Sequence, residues 1–133
     1  MNELRTILSD VVTRLFTDRV TKDLIEAAET GAWPDALWQA VEENGLTWPL
    51  VPESKGGAGG TWGDAFVVAR AAGRHAVPLP IVETIVASWL LSACGLDVPS
   101  GPLTIAPVHR EERLRLTRAG SGWQLVGVAA RVP

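Results

Sequence analysis

The sequence predicts a mainly α-helical protein, in which an N-terminal bundle of about five helices precedes the first strands of an incomplete β domain. Two observations support this fold class. Apolar residues recur every three or four positions through most of residues 1–97, the spacing of one helix face. After residues 98–102, Val-Pro-Ser-Gly-Pro, apolar and polar residues alternate, which is typical of strands. We therefore divide the chain into a helical domain, residues 1–97, and the start of a β domain, residues 98–133.

The first three helices follow from apolar spacing and from turn-forming residues. An apolar stripe runs from Leu4 to Phe16, and a weaker helical segment covers residues 17–28 until Thr30-Gly31 ends it. Pro34 suits the first turn of a third helix, where its missing N–H costs nothing. Gly45 is well placed to follow the end of that helix in a left-handed conformation.

The fourth and fifth predicted helices are separated by prolines. Thr61 and Asp64 have the spacing of a capping box, and the helix they begin is expected to end near Gly73. Pro78-Leu79-Pro80 forbids helix continuation and presets an extended link. The next apolar run predicts a buried helix that carries Cys94 on its apolar face and is stopped by Gly95.

The predicted strands lie near the end of the sequence. Alternation at Leu103 and Ile105, and again at Leu114 and Leu116, predicts strands, and residues 119–122 predict a hairpin turn before Trp123. An isolated hairpin is only marginally stable, so we expect these strands to need more sheet or a helical surface. Of the six tryptophans, three are expected in the core: Trp38, Trp89 and Trp123. The other three lie in or beside loops, where one could contact a partner chain or a ligand: Trp33, Trp48 and Trp62.

Composition excludes several classes of function. The 133 residues are 47% hydrophobic, which allows a sizeable core, and the net charge of −3 without basic clusters argues against nucleic-acid binding. One cysteine cannot form an intrachain disulfide or a thiolate metal cluster, and His75 and His109 are far apart, so no metal site is expected. The N-terminus lacks signal-peptide features, and the apolar run 81–96 is too short to span a bilayer. These features predict a cytoplasmic protein without a membrane partner.

A glycine-dense connector joins the third and fourth predicted helices. Residues 46–60 read Leu-Thr-Trp-Pro-Leu-Val-Pro-Glu-Ser-Lys-Gly-Gly-Ala-Gly-Gly. Such a loop could cradle a phosphate with its backbone N–H groups. It lacks the Lys-Ser/Thr pair and the preceding strand of a P-loop, so we favour a structural role for the glycines.

Several short motifs occur in one order along the chain: Leu37-Trp38, Asn44-Gly45-Leu46, the Pro-Glu-Ser-Lys-Gly-Gly-Ala-Gly run of residues 52–59, Gly73-Arg74, Pro78-Leu79-Pro80, Ile81-Val82-Glu83-Thr84, and the strand of residues 122–127. In this order they resemble the N-terminal helical domain and the start of the middle β domain of acyl-CoA dehydrogenases. The resemblance implies a flavoprotein that oxidises an acyl-CoA thioester to a 2-enoyl-CoA. It also implies FAD as acceptor, an electron-transfer flavoprotein as partner, and a homo- or hetero-oligomer.

The resemblance also implies where the site lies. The last two helices of the family's first domain border its acyl cavity, which nominates four pocket-edge residues: Leu79, Pro80, Thr84 and Ser88. The family's flavin loop, "Thr-Glu-Pro-x-x-Gly-Ser-Asp", corresponds to residues 104–111, with Thr104 and Ile105 as candidate cofactor contacts, although only the proline is retained. The family's catalytic carboxylate belongs to a C-terminal domain, so we expect no catalytic residue within this chain. The alternative is a non-catalytic helical partner subunit or interaction module derived from that family.

Overall fold

The computed structural model describes residues 2–106 and 113–133, which form two compact units, Met1–Leu103 and Thr104–Pro133. The first unit contains five α-helices and a short 3-10 helix at Glu53–Lys55 among its described residues. The α-helices are α1 (Glu3–Arg19), α2 (Lys22–Glu29), α3 (Asp35–Glu43), α4 (Trp62–Arg74) and α5 (Ile81–Ala93). The second unit contains the strands β1 (Arg115–Ala119) and β2 (Gly122–Val126). The predicted fold class, a helical bundle followed by the first strands of a β domain, is confirmed.

The boundary between α1 and α2 differs from the predicted one. Helix α1 begins where the Asn2 side chain accepts the Arg5 backbone N–H at 2.8 Å, and it continues through Arg19. Helix α2 therefore begins at Lys22 rather than at Thr17, with the Thr21 hydroxyl accepting the Leu24 N–H at 3.2 Å. Apolar spacing alone did not locate the break, because both helices share nearly continuous periodicity. The capping threonine supplies the missing signal.

The ends of α3 agree closely with the sequence. Pro34 lies immediately before α3, one position earlier than the predicted first turn. Gly45 follows the helix with a φ of 65°, the left-handed conformation expected of it. The Leu46 N–H then donates to the Val41 carbonyl at 3.1 Å, which closes the last turn.

The end of α4 agrees with the predicted end near Gly73, and the turn that follows the helix is formed by an alanine. The helix continues past Gly73 to Arg74, and Ala76 adopts a φ of 48°. Its N–H donates to the Gly73 carbonyl, and the Val77 N–H donates to the Ala72 carbonyl. Alanine carries a steric cost in this left-handed conformation that glycine avoids. The turn is therefore held by its hydrogen bonds against a local strain.

Replacing Ala76 with glycine should stabilise the chain by about 0.5–1 kcal/mol, because relief of the left-handed strain exceeds the extra entropy of glycine in the unfolded state. Urea denaturation followed by tryptophan fluorescence measures this change. Ala27→Gly is the matched control, since Ala27 is an exposed residue within α2 and its replacement should cost about 1 kcal/mol. If both substitutions changed the free energy of unfolding in the same direction, the strain at Ala76 would be contradicted.

The core of the helical unit lies between α1, α3, α4 and α5. Its fully buried side chains include Val12, Phe16, Val41, Val68 and Ile85. Helix α1 packs against α4 along most of its length, and the half-buried Val20 and Leu24 extend the core toward α2. Trp38 is in this core, as predicted.

Three predictions about individual residues are wrong. Cys94 is exposed, because α5 ends at Ala93 and Cys94 caps it outside the packed face. Trp123 is 62% exposed, since every residue of β1 and β2 is exposed and no second layer covers the hairpin among the described residues of its unit. Leu103 and Ile105 do not form a strand. The hairpin itself agrees with the prediction, with Leu116 opposite Leu125 in antiparallel register.

Candidate functional site

The four predicted pocket-edge residues lie at the start and along one face of α5. Pro80 immediately precedes the helix, and Leu79 precedes Pro80; both are half-buried. Thr84 and Ser88 follow one turn apart, so their side chains share a helix face, and both are fully buried. The structure therefore brings Pro80, Thr84 and Ser88 together. The two polar residues face the protein interior.

The Thr84 hydroxyl is fully engaged within the chain. It lies 2.6 Å from the Pro80 carbonyl and 3.2 Å from the Leu103 carbonyl, and it accepts the Leu103 N–H at 3.1 Å. A hydroxyl has only one proton to donate, and the shorter contact identifies the Pro80 carbonyl as its acceptor. Thr84 therefore ties the segment after α5 back onto the helix. Its hydroxyl is not free for a ligand in this arrangement.

The segment after α5 is held to the helical unit by three side chains from three different elements. The Lys55 ammonium donates to the Leu96 carbonyl at 2.9 Å. The Glu42 carboxylate accepts the Gly101 N–H at 2.6 Å. Thr84 holds Leu103, as described above. We call these three contacts the clamp. No motif in the sequence predicts the clamp, because each side chain bonds to a backbone group more than 15 residues away in the chain.

Replacing Thr84 with valine, which keeps its shape, should destabilise the helical unit by about 1–2 kcal/mol, because a backbone N–H loses its acceptor. The Leu103 amide should also exchange with solvent about tenfold faster. Hydrogen exchange followed by NMR measures both effects. Thr84→Ser, which retains the hydroxyl, is the control, and unchanged Leu103 exchange in the valine variant would contradict the clamp.

The environment of the Ser88 hydroxyl differs from that of the Thr84 hydroxyl. Its hydroxyl oxygen is completely buried and has no hydrogen-bond partner among the described residues. Leaving a buried hydroxyl unpaired costs about 1–3 kcal/mol, so native structures rarely keep one without a reason. Ser88 is therefore the residue of this face with unused hydrogen-bonding capacity.

The two candidate cofactor contacts belong to the second unit. The Thr104 hydroxyl donates to the Pro133 carbonyl at 3.0 Å. The backbone N–H groups of Thr104 and Ile105 make no hydrogen bond within the described residues. Such free donors fit the carbonyl and ring-nitrogen acceptors of a flavin. Residues 107–111, the last five of the predicted flavin loop, lie outside the described residues.

The backbone N–H groups of the glycine-dense connector bond to carbonyls of the connector itself. Five consecutive N–H groups, from Gly56 to Gly60, donate to backbone carbonyls of residues 48–53 at distances of 2.8–3.2 Å. A phosphate cradle needs such N–H groups to point outward. A Cβ atom at Gly57 would lie 2.1 Å from the Val51 carbonyl oxygen, so the chain passes too close for any side chain there. These contacts support the structural role of the loop.

A buried carboxylate anchors the connector to α1. Asp64 accepts the Thr61 N–H at 2.7 Å and the Thr61 hydroxyl at 2.8 Å, the reverse half of the predicted capping box. Its other oxygen accepts the Arg5 guanidinium Nε–H at 3.0 Å. The Thr61 backbone and hydroxyl donors, followed by Arg5, lower the pKa of Asp64 below its ordinary value of 3.8, although burial opposes them. Asp64 is thus an ionised structural group.

One cleft of the helical unit is lined by none of the four predicted pocket-edge residues. It has a volume of about 620 Å³ and lies between the start of α1, the end of α3 and the glycine-dense connector. Its walls are formed by Ile7 and Trp48, with Glu42 and Glu43 at the edge. The acidic edge disfavours a phosphate-bearing ligand. The cleft therefore adds nothing to the site on α5.

The described residues contain neither a grouping of three or more metal-binding side chains nor a membrane-length apolar helix. His75 serves a structural purpose at the end of α4. Its Nδ1 lies 2.9 Å from the Ala71 carbonyl and its Nε2 lies 3.3 Å from the Thr17 hydroxyl. The first contact requires a proton on Nδ1, so Nε2 accepts from Thr17 in the neutral ring. His109 lies outside the described residues.

Comparison with known proteins decides the family. Residues 2–97, which include all five helices, match the family model described as "Acyl-CoA dehydrogenase, N-terminal domain". The chain belongs to the acyl-CoA dehydrogenase family. It is 34% identical over 103 residues to acyl-CoA dehydrogenase IpdE2 of Mycolicibacterium smegmatis, a match that covers 74% of this chain and 33% of that protein. It is 32% identical over 94 residues to acyl-CoA dehydrogenase IpdE2 of Mycobacterium tuberculosis, covering 68% and 30% respectively.

The match to the acyl-CoA dehydrogenase family model covers residues of the helical unit. The chain spans about a third of the length of these curated relatives. No solved structure matches it significantly. The predicted family is confirmed, and with it the assignment of α1–α5 to the family's N-terminal domain. The boundary predicted between residues 97 and 98 stays a prediction, although the clamp holds residues 96–103 on the helical unit.

Proposed function

We propose that residues 1–133 supply the helical domain and the start of the middle β domain of a flavoprotein that oxidises an acyl-CoA thioester to a 2-enoyl-CoA. The observation that carries this proposal is the match of all five helices to the N-terminal domain of acyl-CoA dehydrogenases. FAD would accept the electrons, and an electron-transfer flavoprotein would receive them in turn. Homo- or hetero-oligomeric assembly and a cytoplasmic location belong to the same proposal.

In this proposal the helical domain forms a wall of the acyl site. Leu79, Pro80, Thr84 and Ser88 lie along the start and one face of α5. Thr84 positions the wall by holding Leu103, and Ser88 offers its unpaired hydroxyl. No side chain of this chain is assigned the proton abstraction. In this proposal Leu79, Pro80 and Ser88 contact the acyl group and exclude water, whereas Thr84 only holds the wall in position.

FAD, when bound, supplies the hydride acceptor of the reaction. The free N–H groups of Thr104 and Ile105 would hold acceptor atoms of its ring system.

Absorbance and activity measurements test the proposal. The purified chain and the complete product of its gene are each examined for flavin absorbance and for reduction of an artificial electron acceptor with acyl-CoA. Flavin and acyl-CoA-dependent reduction in the complete product support the proposal. A complete product that binds FAD but reduces nothing with any acyl-CoA would contradict it.

A second candidate function is a non-catalytic helical partner subunit. The observation that favours it is the sequence of residues 104–111, which retains only the proline of the family's flavin loop. A colourless complete product that restores activity to a separate flavin-containing subunit would establish this function instead.

Replacing Ser88 with alanine should have opposite effects on stability and on binding. Removing an unpaired buried hydroxyl should stabilise the unliganded chain by about 1 kcal/mol. If the hydroxyl faces the acyl site, the same change should weaken acyl-CoA binding by the complete protein about 5-fold or more. Thermal unfolding and calorimetric titration with an acyl-CoA measure the two effects. A gain in stability with unchanged acyl-CoA binding would show that Ser88 is not part of the acyl site.

A further inference from the structure

Helix α4 carries two arginines that have no partner among the described residues. Arg70 and Arg74 are one helical turn apart and exposed, and neither makes a hydrogen bond or an ion pair within the part of the chain that the structure describes. Like charges at this spacing repel each other and weaken a helix. The pair is therefore an uncompensated positive site on a chain whose net charge is −3.

The two arginines line one wall of a groove between α4 and α1, with a volume of about 200 Å³. Ser9 and Thr13, also about one turn apart, line the α1 wall, and their hydroxyl groups make no hydrogen bond among the described residues. No aspartate or glutamate is found among the described side chains that line the groove. Two cationic groups and two hydroxyl groups from different helices therefore border one recess that has no opposing carboxylate.

We propose that this α1–α4 groove binds a phosphate group. A phosphate monoester carries about −1.5 to −2 charges at pH 7 and three strong acceptor oxygens, which match two guanidinium groups and two hydroxyl groups. A carboxylate carries a single charge and would neutralise only one of the two arginines. His75 also lines the groove but offers no further donor in its neutral form, because Ala71 and Thr17 already engage its two ring nitrogens.

A second groove on α1 shows why the arginines of α4 are distinctive. Arg14 and Arg19 line that groove together with Asp10 and Asp18. The two carboxylates offset the positive charge locally and repel an anion. The two grooves contain equal numbers of arginines, so the absence of a lining carboxylate is what suits the α1–α4 groove to an anion.

Two sources of phosphate share the chemistry that the groove recognises. One is a small phosphate monoester that binds in its own right, and the other is a phosphate group of an acyl-CoA. The groove is lined by none of the four pocket-edge residues on and before α5. The proposed phosphate site therefore stands without the proposed dehydrogenase function, and a failure of one leaves the other intact.

Titration of the chain with inorganic phosphate at low ionic strength, followed by NMR, tests the proposal. We expect saturable shifts of the Arg70 and Arg74 Nε–H signals and of the Ser9 and Thr13 amides. The expected dissociation constant is about 1 mM, because exposed guanidinium groups are well screened by water. Arg70→Gln and Arg74→Gln should each raise it about 5-fold or more, since each removes a charged donor.

Arg14→Gln is the matched control, because it removes an arginine from the groove that also contains carboxylates, and it should leave phosphate binding unchanged. Circular dichroism establishes that each variant is folded. No saturable shift up to about 50 mM phosphate, well above the expected constant, overturns the proposal. Equal weakening by Arg14→Gln and Arg74→Gln also overturns it, and so do the same shifts in sodium chloride of equal ionic strength.

Titration with CoA and with glycerol phosphate distinguishes the two sources. CoA that shifts the same signals and binds at least about tenfold tighter than inorganic phosphate supports the site as one for a phosphate of the acyl-CoA. Glycerol phosphate that binds as tightly as CoA supports a site for a small phosphate monoester. If both ligands bind but leave the signals of Arg70 and Arg74 unshifted, the phosphate site lies elsewhere and the proposal is overturned.

Discussion

Replacing Gly57 with alanine should destabilise the chain by about 3 kcal/mol or more, the upper range for forcing an atom into a closely packed site. A Cβ atom at this position would lie 2.1 Å from the Val51 carbonyl oxygen and 2.5 Å from the Val51 Cβ. The connector would have to move, and the bond from the Gly59 N–H to the same Val51 carbonyl, 2.9 Å long, would be lost with it. Urea denaturation followed by tryptophan fluorescence measures the loss.

The matched control for Gly57 is Gly73→Ala. Gly73 lies within α4, and apart from its chain neighbours and the helix's own backbone no atom lies within 4 Å of a Cβ built there. The same substitution should therefore stabilise the chain by about 0.5–1 kcal/mol, because alanine favours the helix interior. If Gly57→Ala were as mild as this control, the close approach of the connector to Val51 would be contradicted.

Replacing Asp64 with asparagine should cost about 2–3 kcal/mol at neutral pH, the range for hydrogen bonds that involve a charged group. The amide cannot accept from both Thr61 and Arg5 as the carboxylate does, and the ionic attraction to Arg5 disappears. Helix α4 would lose its first-turn cap, and α1 would lose the contact that Arg5 makes with α4 through Asp64. The Asp35→Asn variant is the control, because Asp35 also lies in the first turn of a helix but is exposed.

The stabilisation by Asp64 should depend on pH in a defined direction. The pKa of Asp64 is lowered in the folded chain below the ordinary value of 3.8. The ionised group therefore contributes its full stabilisation above the unfolded-state pKa, and that contribution is lost as the pH falls through the lowered folded-state pKa. We expect the wild type and Asp64→Asn to differ most at pH 7 and to converge in strong acid. A difference that grows on acidification would contradict the assignment.

Most of the helical unit could be predicted because its signals are local. The apolar stripe of α1, the glycine after α3, the Thr61–Asp64 cap and the prolines before α5 each act within a few residues. Where a local signal was ambiguous, the prediction was imprecise. The break between α1 and α2 is set by Thr21, within nearly continuous periodicity, and the end of α4 uses Ala76 in a conformation usually given to glycine.

The candidate site was only partly accessible to prediction. The family resemblance nominated Thr84 and Ser88, and α5 does place both on one buried face. The resemblance could not show that the Thr84 hydroxyl is already occupied by Pro80 and Leu103, whereas that of Ser88 is not. That difference depends on where the segment after α5 returns, which involves contacts between residues far apart in the chain.

The sequence by itself determined the fold class, the family and the structural nature of the glycine-dense connector, because periodicity, caps and ordered motifs are properties of neighbouring residues. Only the tertiary structure decided which groups remain available. It shows the connector N–H groups bonded to the connector's own carbonyls, the Asp64 carboxylate bonded to Arg5, the Ser88 hydroxyl unpaired, and the Arg70 and Arg74 guanidinium groups without partners among the described residues. The physical reason is that hydrogen-bond satisfaction and burial depend on residues distant in the chain, and no local pattern encodes those partners.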